Sequence, residues 1–215
     1  MEQKSIPLLW MGMAFGVALG LATGVLAING SDPQGLVIAL RLTARWSFLL
    51  FWLAYAGGAM AVLFGPALAA LGGRGREFGL AYAAAQLVHV GLVIRLFQIT
   101  SRLPLSGKTF VLFTIGIVWT YLLAVFSVGG LSKVLGSRGW RTLRIVGLNY
   151  ILFAFAVDFV PVAIHRTPHS GVERLVAYAP FAAMCVAAPL LVLAAAAHRH
   201  LGLRYNRAEL EPVAN

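Results

Sequence analysis

The chain has few charged residues and a single cysteine. Only 11% of its 215 residues are charged, whereas 60% are hydrophobic, and a typical soluble domain carries about 25% charged residues. The lone Cys185 excludes a disulfide framework and is expected to be a small packing residue. The sequence also lacks a glycine-rich phosphate loop, a nucleophile elbow, an HExxH motif and zinc-ligand spacing. Nothing in it indicates a hydrolase or a transferase.

Long apolar segments dominate the sequence instead. Each of six segments supplies the roughly 20 helical residues that cross a hydrocarbon core. They cover residues 6–28, 44–72, 78–100, 109–130, 144–164 and 175–197. We therefore predict an all-α integral membrane protein, a bundle of six transmembrane helices in contact with the lipid bilayer. No stretch between the segments is long enough for a second domain, so residues 1–215 are predicted to form one domain.

Acidic residues are scarce, with 7 Asp and Glu against 17 Lys and Arg. The formal charge of +10 does not indicate nucleic-acid binding, because the basic residues lie in short loops beside apolar segments. At such positions, basic residues indicate which side of the membrane a loop lies on. They are more numerous on the side of the two termini. We expect a multi-pass protein of the bacterial inner (cytoplasmic) membrane with both termini cytoplasmic.

The first segment carries a repeat of small residues. Glycines recur every four residues, which places them on one face of a helix where another backbone can approach. They are Gly12, Gly16, Gly20 and Gly24. The repeat predicts close packing on a neighbouring helix of the same bundle, or alternatively on another subunit.

The third segment contains the most informative polar residues. Tyr82, Gln86 and His89 follow i, i+4, i+7 spacing and form one polar stripe on an otherwise apolar helix. His89 lies about 18 Å from Glu77 along the helix axis, near the middle of the bilayer. Unsatisfied polar groups are costly in lipid, so this imidazole either bonds to a neighbouring helix or coordinates a metal, as an axial ligand of haem iron.

Three local runs resemble the ferric reductase-like transmembrane domain family. Residues 76–82 and 87–89, Arg-Glu-Phe-Gly-Leu-Ala-Tyr and Leu-Val-His, are similar to its arginine-rich turn, Leu-Gly-Leu and Leu-His. Residues 43–47, Thr-Ala-Arg-Trp-Ser, resemble the entrance of its second helix, and residues 139–143, Gly-Trp-Arg-Thr-Leu, resemble the start of its fifth. The most similar branch is the haem-binding membrane subunit of the bacterial methionine sulfoxide reductase system.

The resemblance implies haem b held between the third and fifth helices, with electrons passed across the membrane. The helix-three ligand corresponds to His89, with Gln86 and Tyr82 beside it. The helix-five histidines are missing, because Arg144 and Val157-Asp158 stand in their places. One haem at most is therefore expected, five-coordinate or with an unusual ligand such as Met184. The chain would be at most a non-catalytic subunit of an oxidoreductase, with quinol or a flavin protein as electron donor and a membrane or membrane-bound protein as partner.

Two charged residues of the third and fifth segments reach similar depths. Arg95 lies about 27 Å from Glu77, and Asp158 about 26 Å from Arg141. A buried carboxylate needs a partner in lipid, so Arg95 and Asp158 are predicted to form an intramembrane ion pair. The alternative is that each reaches separately towards the headgroups.

Two other functions are compatible with these residues. The chain could be a haemless relative that serves as a structural or assembly subunit of a larger membrane complex. It could also be a small transporter or a proton path, since intramembrane His, Arg and Asp residues line such paths. The outer-loop pair His165 and His169 lacks a third metal ligand. It is expected to be solvated.

Overall fold

The computed structural model describes residues 5–101, 107–128, 134–164 and 172–210, and the side chains of residues 7–101, 107–128, 134–164 and 176–201. The elements of these residues are helices: α1 Ser5–Asn29, α2 Pro33–Phe64, a 3-10 turn Gly65–Leu68, α3 Ala69–Gly72, α4 Gly75–Thr100, α5 Gly107–Val128, α6 Gly136–Ile164 and α7 Val172–Leu210. Six of them are long and apolar enough to cross a membrane. The predicted all-α six-helix bundle is confirmed. Successive spanning helices alternate in direction, so α1 begins and α7 ends on one side, here the terminal side; the other is the far side.

The second helix begins eleven residues earlier than predicted, at Pro33 instead of residue 44. The Asp32 carboxylate caps it by accepting a hydrogen bond from the Gly35 backbone N–H at 2.8 Å, and proline is well suited to the first turn. Arg41, which preceded the predicted second segment, therefore lies inside α2, and Arg45 lies well inside the helix instead of at its start. Their side chains project from a membrane-spanning helix instead of from a connection.

Helix α2 is the centre of the bundle. It packs against α1, α4 and α7, while α1 also packs on α4, α5 on α6, and α6 on α7. In the described part of the chain, α4 and α6 do not pack closely backbone to backbone. Their rings meet instead, with the Tyr82 and Phe155 centroids 6.1 Å apart. A space remains between these two helices.

An aromatic cluster joins α2, α6 and α7. Phe48 of α2 is fully buried and makes edge contacts with Phe155 at 5.0 Å, Phe159 at 5.1 Å and Phe181 at 5.9 Å between ring centroids. Edge-to-face pairs of this kind add to the stabilisation that comes from buried area. The cluster holds α6 and α7 against α2.

The glycine repeat of α1 does not face the bundle. A Cβ atom added at Gly12, Gly16, Gly20 or Gly24 would meet nothing within 4 Å. The buried face of α1 is instead an alanine repeat, in which Ala14, Ala18 and Ala22 are 3%, 0% and 3% exposed. The two repeats are offset by two residues, about 200° around a helix, so they lie on opposite faces. The prediction of packing within the bundle is therefore corrected, and a contact with another subunit stays a prediction.

The two repeats allow a matched comparison on one helix. We expect Ala18→Leu to destabilise the purified protein by about 1 to 3 kcal/mol, because the added carbons have no room against α2 and α4. Gly16→Leu should leave the unfolding temperature of the single chain unchanged. Thermal unfolding in detergent measures both effects. An equal loss of stability in the two variants would contradict the assignment of the buried face.

Candidate functional site

A cavity of about 410 Å³ lies between α2, α4, α5 and α6, towards the far side. We call it the Asp158 cavity. Its volume falls within the usual range of sites for small molecules and cofactors. All three residues of the predicted polar stripe, Tyr82, Gln86 and His89, line it, together with Asp158. The walls are otherwise largely apolar, with Phe113, Ile117 and Phe155 among them.

His89 is held in a defined orientation by α2. Its Nδ1 lies 3.1 Å from the Thr43 hydroxyl oxygen. Thr43 donates its own proton to backbone carbonyls of α2, those of Ala39 at 2.9 Å and Leu40 at 3.1 Å. With that proton used on α2, we assign the Thr43 oxygen as the acceptor and the Nδ1 of His89 as the donor. In that tautomer the other ring nitrogen, Nε2, carries a lone pair. His89 is half-buried and lines the cavity, so its ring forms part of the wall of this space.

Tyr82 is held by a hydrogen bond to a threonine of α5, the neighbour of α4 opposite α2. Its hydroxyl lies 3.1 Å from the Thr120 hydroxyl, and Thr120 donates to the Gly116 carbonyl at 2.9 Å. We therefore assign Tyr82 as the donor in the bond between the two side chains. Both residues are buried, at 6% and 3% exposed, so this bond ties α4 to α5 in the interior of the bundle.

Gln86 supplies an acceptor that the protein leaves unused. Its side chain is 9% exposed and lines the cavity, and Oε1 has no hydrogen-bond partner among the described residues. A buried amide oxygen without a partner costs free energy unless water or a ligand donates to it. Gln86 and His89, about one helical turn apart, therefore both place polar side chains at the wall of the cavity.

The Asp158 carboxylate opens onto the cavity, and the cations that act on it are Arg41 and Arg45 of α2. The Arg45 guanidinium lies over the Tyr178 ring, 4.8 Å from its centroid, a favourable contact between a cation and an aromatic face. Arg95 is exposed on α4. The structure does not bring Arg95 and Asp158 together as an ion pair, because equal depth on two helices does not place side chains on facing sides.

Other residues singled out in the sequence lie elsewhere. Met184 is on α7 and does not line the cavity; its carbonyl accepts a hydrogen bond from the Trp52 indole at 2.9 Å. His198 and His200 are exposed near the end of α7. His165 and His169 lie outside the described residues.

Sequence reasoning missed Thr43 as a functional residue. With α2 starting at Pro33, Thr43 lies about 15 Å along the helix from the far side, and His89 about 17 Å from Thr100 at the same side. This match in depth is the signal that could have identified the pair. It was hidden because the second helix was predicted to begin at residue 44.

Comparisons with protein-family models, with curated proteins and with solved structures find no match. The resemblance to ferric reductase-like domains therefore rests on the residues quoted above, and it stays a prediction.

The bond between Tyr82 and Thr120 can be measured by a double-mutant cycle. We expect Tyr82→Phe to destabilise the protein by about 1 kcal/mol, because Thr120 keeps its bond to Gly116 and only the bond between the side chains is lost. Thr120→Val should cost a similar amount, and the two changes together less than their sum. Urea or thermal unfolding of the three variants gives the coupling. Strictly additive losses would mean that the two hydroxyls do not bond.

Proposed function

We propose that the protein is an electron-transfer subunit of the membrane that holds one haem b in the Asp158 cavity, with His89 as the axial ligand. The observation that supports this is the imidazole of His89, whose Nδ1 donates to Thr43 and whose Nε2 is left with a lone pair at a cofactor-sized cavity. Metal-ligating histidines usually donate their other ring nitrogen in this way, which fixes the ring and raises its basicity.

A lone histidine suits haem better than a bare metal ion. Among the described residues, no three histidine, cysteine, aspartate or glutamate side chains group together as ligands, and structural metal ions need three or four protein ligands. Haem iron brings four nitrogen ligands with it and requires one axial side chain from the protein. The number of histidines in the cavity therefore matches one five-coordinate haem.

The remaining lining fits the other parts of such a group. Apolar side chains such as Ile117 and Phe155 would contact the macrocycle, while the guanidinium of Arg41 would hold its carboxylates. When bound, the haem would supply one-electron oxidation and reduction. The chain's own part is to orient the ligand through Thr43 and to exclude water with the aromatic walls.

The proposed setting is the bacterial inner membrane, with both termini cytoplasmic. Quinol or a cytoplasmic flavin protein would then donate electrons, and a membrane or membrane-bound partner would accept them. The second candidate is a haemless relative that acts as a structural subunit, favoured by the missing helix-five histidines. A transporter or proton path is the third, favoured by the open carboxylate of Asp158 beside Arg41.

Absorption spectra test the haem. Protein made with ample haem, oxidised and then reduced with dithionite, should show the bands of one b haem per chain. His89→Ala should abolish them, while His198→Ala, on the exposed end of α7, should leave them unchanged. Thr43→Val should weaken haem retention about 10- to 100-fold, the usual effect of losing a bond to a metal-ligating histidine. No haem in the wild type would support the haemless subunit; two haems per chain would contradict the single-ligand cavity.

Reporter fusions test the proposed orientation. A reporter that is active only in the cytoplasm should be active when fused after Asn215. It should be inactive when inserted in the 165–173 connection, because six spanning helices place these points on opposite sides. Fusion after Gly30 serves as a second point on the far side. Activity at the far-side points, together with no activity after Asn215, would show that the orientation is opposite to the one proposed.

A further inference from the structure

A second cavity, of about 400 Å³, opens at the terminal side between α2, α4, α5 and α6. We call it the Arg144 cavity. Tyr82 and Ile151 line both cavities, so the bond from Tyr82 to Thr120 stands between them. No histidine lines the Arg144 cavity. It is therefore distinct from the proposed haem site and needs another occupant.

Two arginines line this cavity without any carboxylate. Arg76 donates to the Ser127 carbonyl at 3.0 Å, which uses one of its five N–H groups. Arg144 has neither a hydrogen bond nor an ion pair within the described residues. Glu77 follows Arg76 in sequence, but it is not part of the lining. Both side chains are exposed, so two positive charges border this space and no carboxylate lines it.

The cavity is polar at its mouth and apolar further in. Arg76 lies in the first turn of α4, and Trp140 lies in the second turn of α6, where its ring stacks on Phe126 with centroids 6.4 Å apart. Tryptophan is typical of the headgroup level of a bilayer. Deeper in, the walls are side chains such as Phe51, Leu80 and Leu123. A molecule that matched this lining would carry an anionic head and a hydrocarbon chain.

Glycines make the space for such a chain. Gly58 of α2 and Gly73 line the cavity, and a Cβ atom at either position would meet nothing within 4 Å. A larger side chain at Gly58 would therefore project into the cavity without disturbing the packing of α2.

We propose that the Arg144 cavity binds an anionic phospholipid of the surrounding leaflet. The phosphate is held between Arg76 and Arg144, in the manner in which arginine recognises phosphate. An acyl chain occupies the apolar part of the cavity past Gly58. The bilayer supplies this ligand continuously, and phosphatidylglycerol is the anionic headgroup with which to test the site.

Native mass spectrometry of the full chain in detergent tests this directly. Wild-type protein should retain one phosphatidylglycerol per chain and should discriminate against phosphatidylcholine with the same acyl chains. Arg144→Gln and Arg76→Gln should each weaken retention about tenfold, the loss expected for one charge-assisted bond. Arg141→Gln is the matched control, because Arg141 is an exposed arginine of the same helix that does not line the cavity.

Three further measurements make the outcome decisive. Gly58→Leu should also weaken lipid retention while the melting temperature of the lipid-free protein stays unchanged. This variant tests the cavity without relying on the arginine variants, which could lose the lipid through misfolding. His89→Ala should retain the lipid normally, so a failed haem proposal leaves this one intact. Equal retention of phosphatidylglycerol in wild type and both arginine variants would overturn the proposal. The proposal would also be overturned if millimolar inorganic phosphate raised the melting temperature of the protein as much as the lipid does.

Discussion

Hydrogen bonds from two buried threonines to α4 position the side chains at both candidate sites. Each buried threonine donates its proton to a carbonyl one turn back in its own helix, as Thr43 does to Ala39 at 2.9 Å and Thr120 does to Gly116 at 2.9 Å. Because the hydroxyl proton is used in this bond, the threonine oxygen can only accept a further hydrogen bond. A neighbouring helix must then present a donor, and α4 presents two, from Tyr82 and His89. These two bonds connect α4 to α2 and to α5.

The distance between α4 and α6 gives the protein its internal space. Helix α6 is held to α2 and α7 by aromatic rings around Phe48, whereas α4 is held by α1 and α2. Since neither contact draws α4 and α6 together, space remains between them, and Tyr82 divides it into a part nearer Asp158 and a part nearer Arg144. The two parts differ in chemistry: the first offers lone pairs, and the second offers positive charge.

Hydropathy predicted the six helices correctly because the length needed to cross lipid is a strong constraint. Hydropathy did not give the start of α2, since Arg41 looks like a loop residue unless the Asp32 cap is recognised. The face of α1 could not be predicted either, because glycine and alanine repeats have the same period and both permit close approach. The polar stripe around His89 does line a cavity. The partner of Asp158 was not found, because counting residues gives depth along a helix but not direction around it.

The chain of bonds that begins at His89 has a consequence for charge movement through the membrane. From Nδ1 it runs to the Thr43 hydroxyl and then to the Ala39 carbonyl, which has no proton to pass on. A histidine that relays protons must release one from the first nitrogen while it takes one up at the second. Here the first nitrogen leads to a closed end. In the tautomer assigned to His89, a proton therefore has no path beyond Thr43, and the second nitrogen keeps its lone pair.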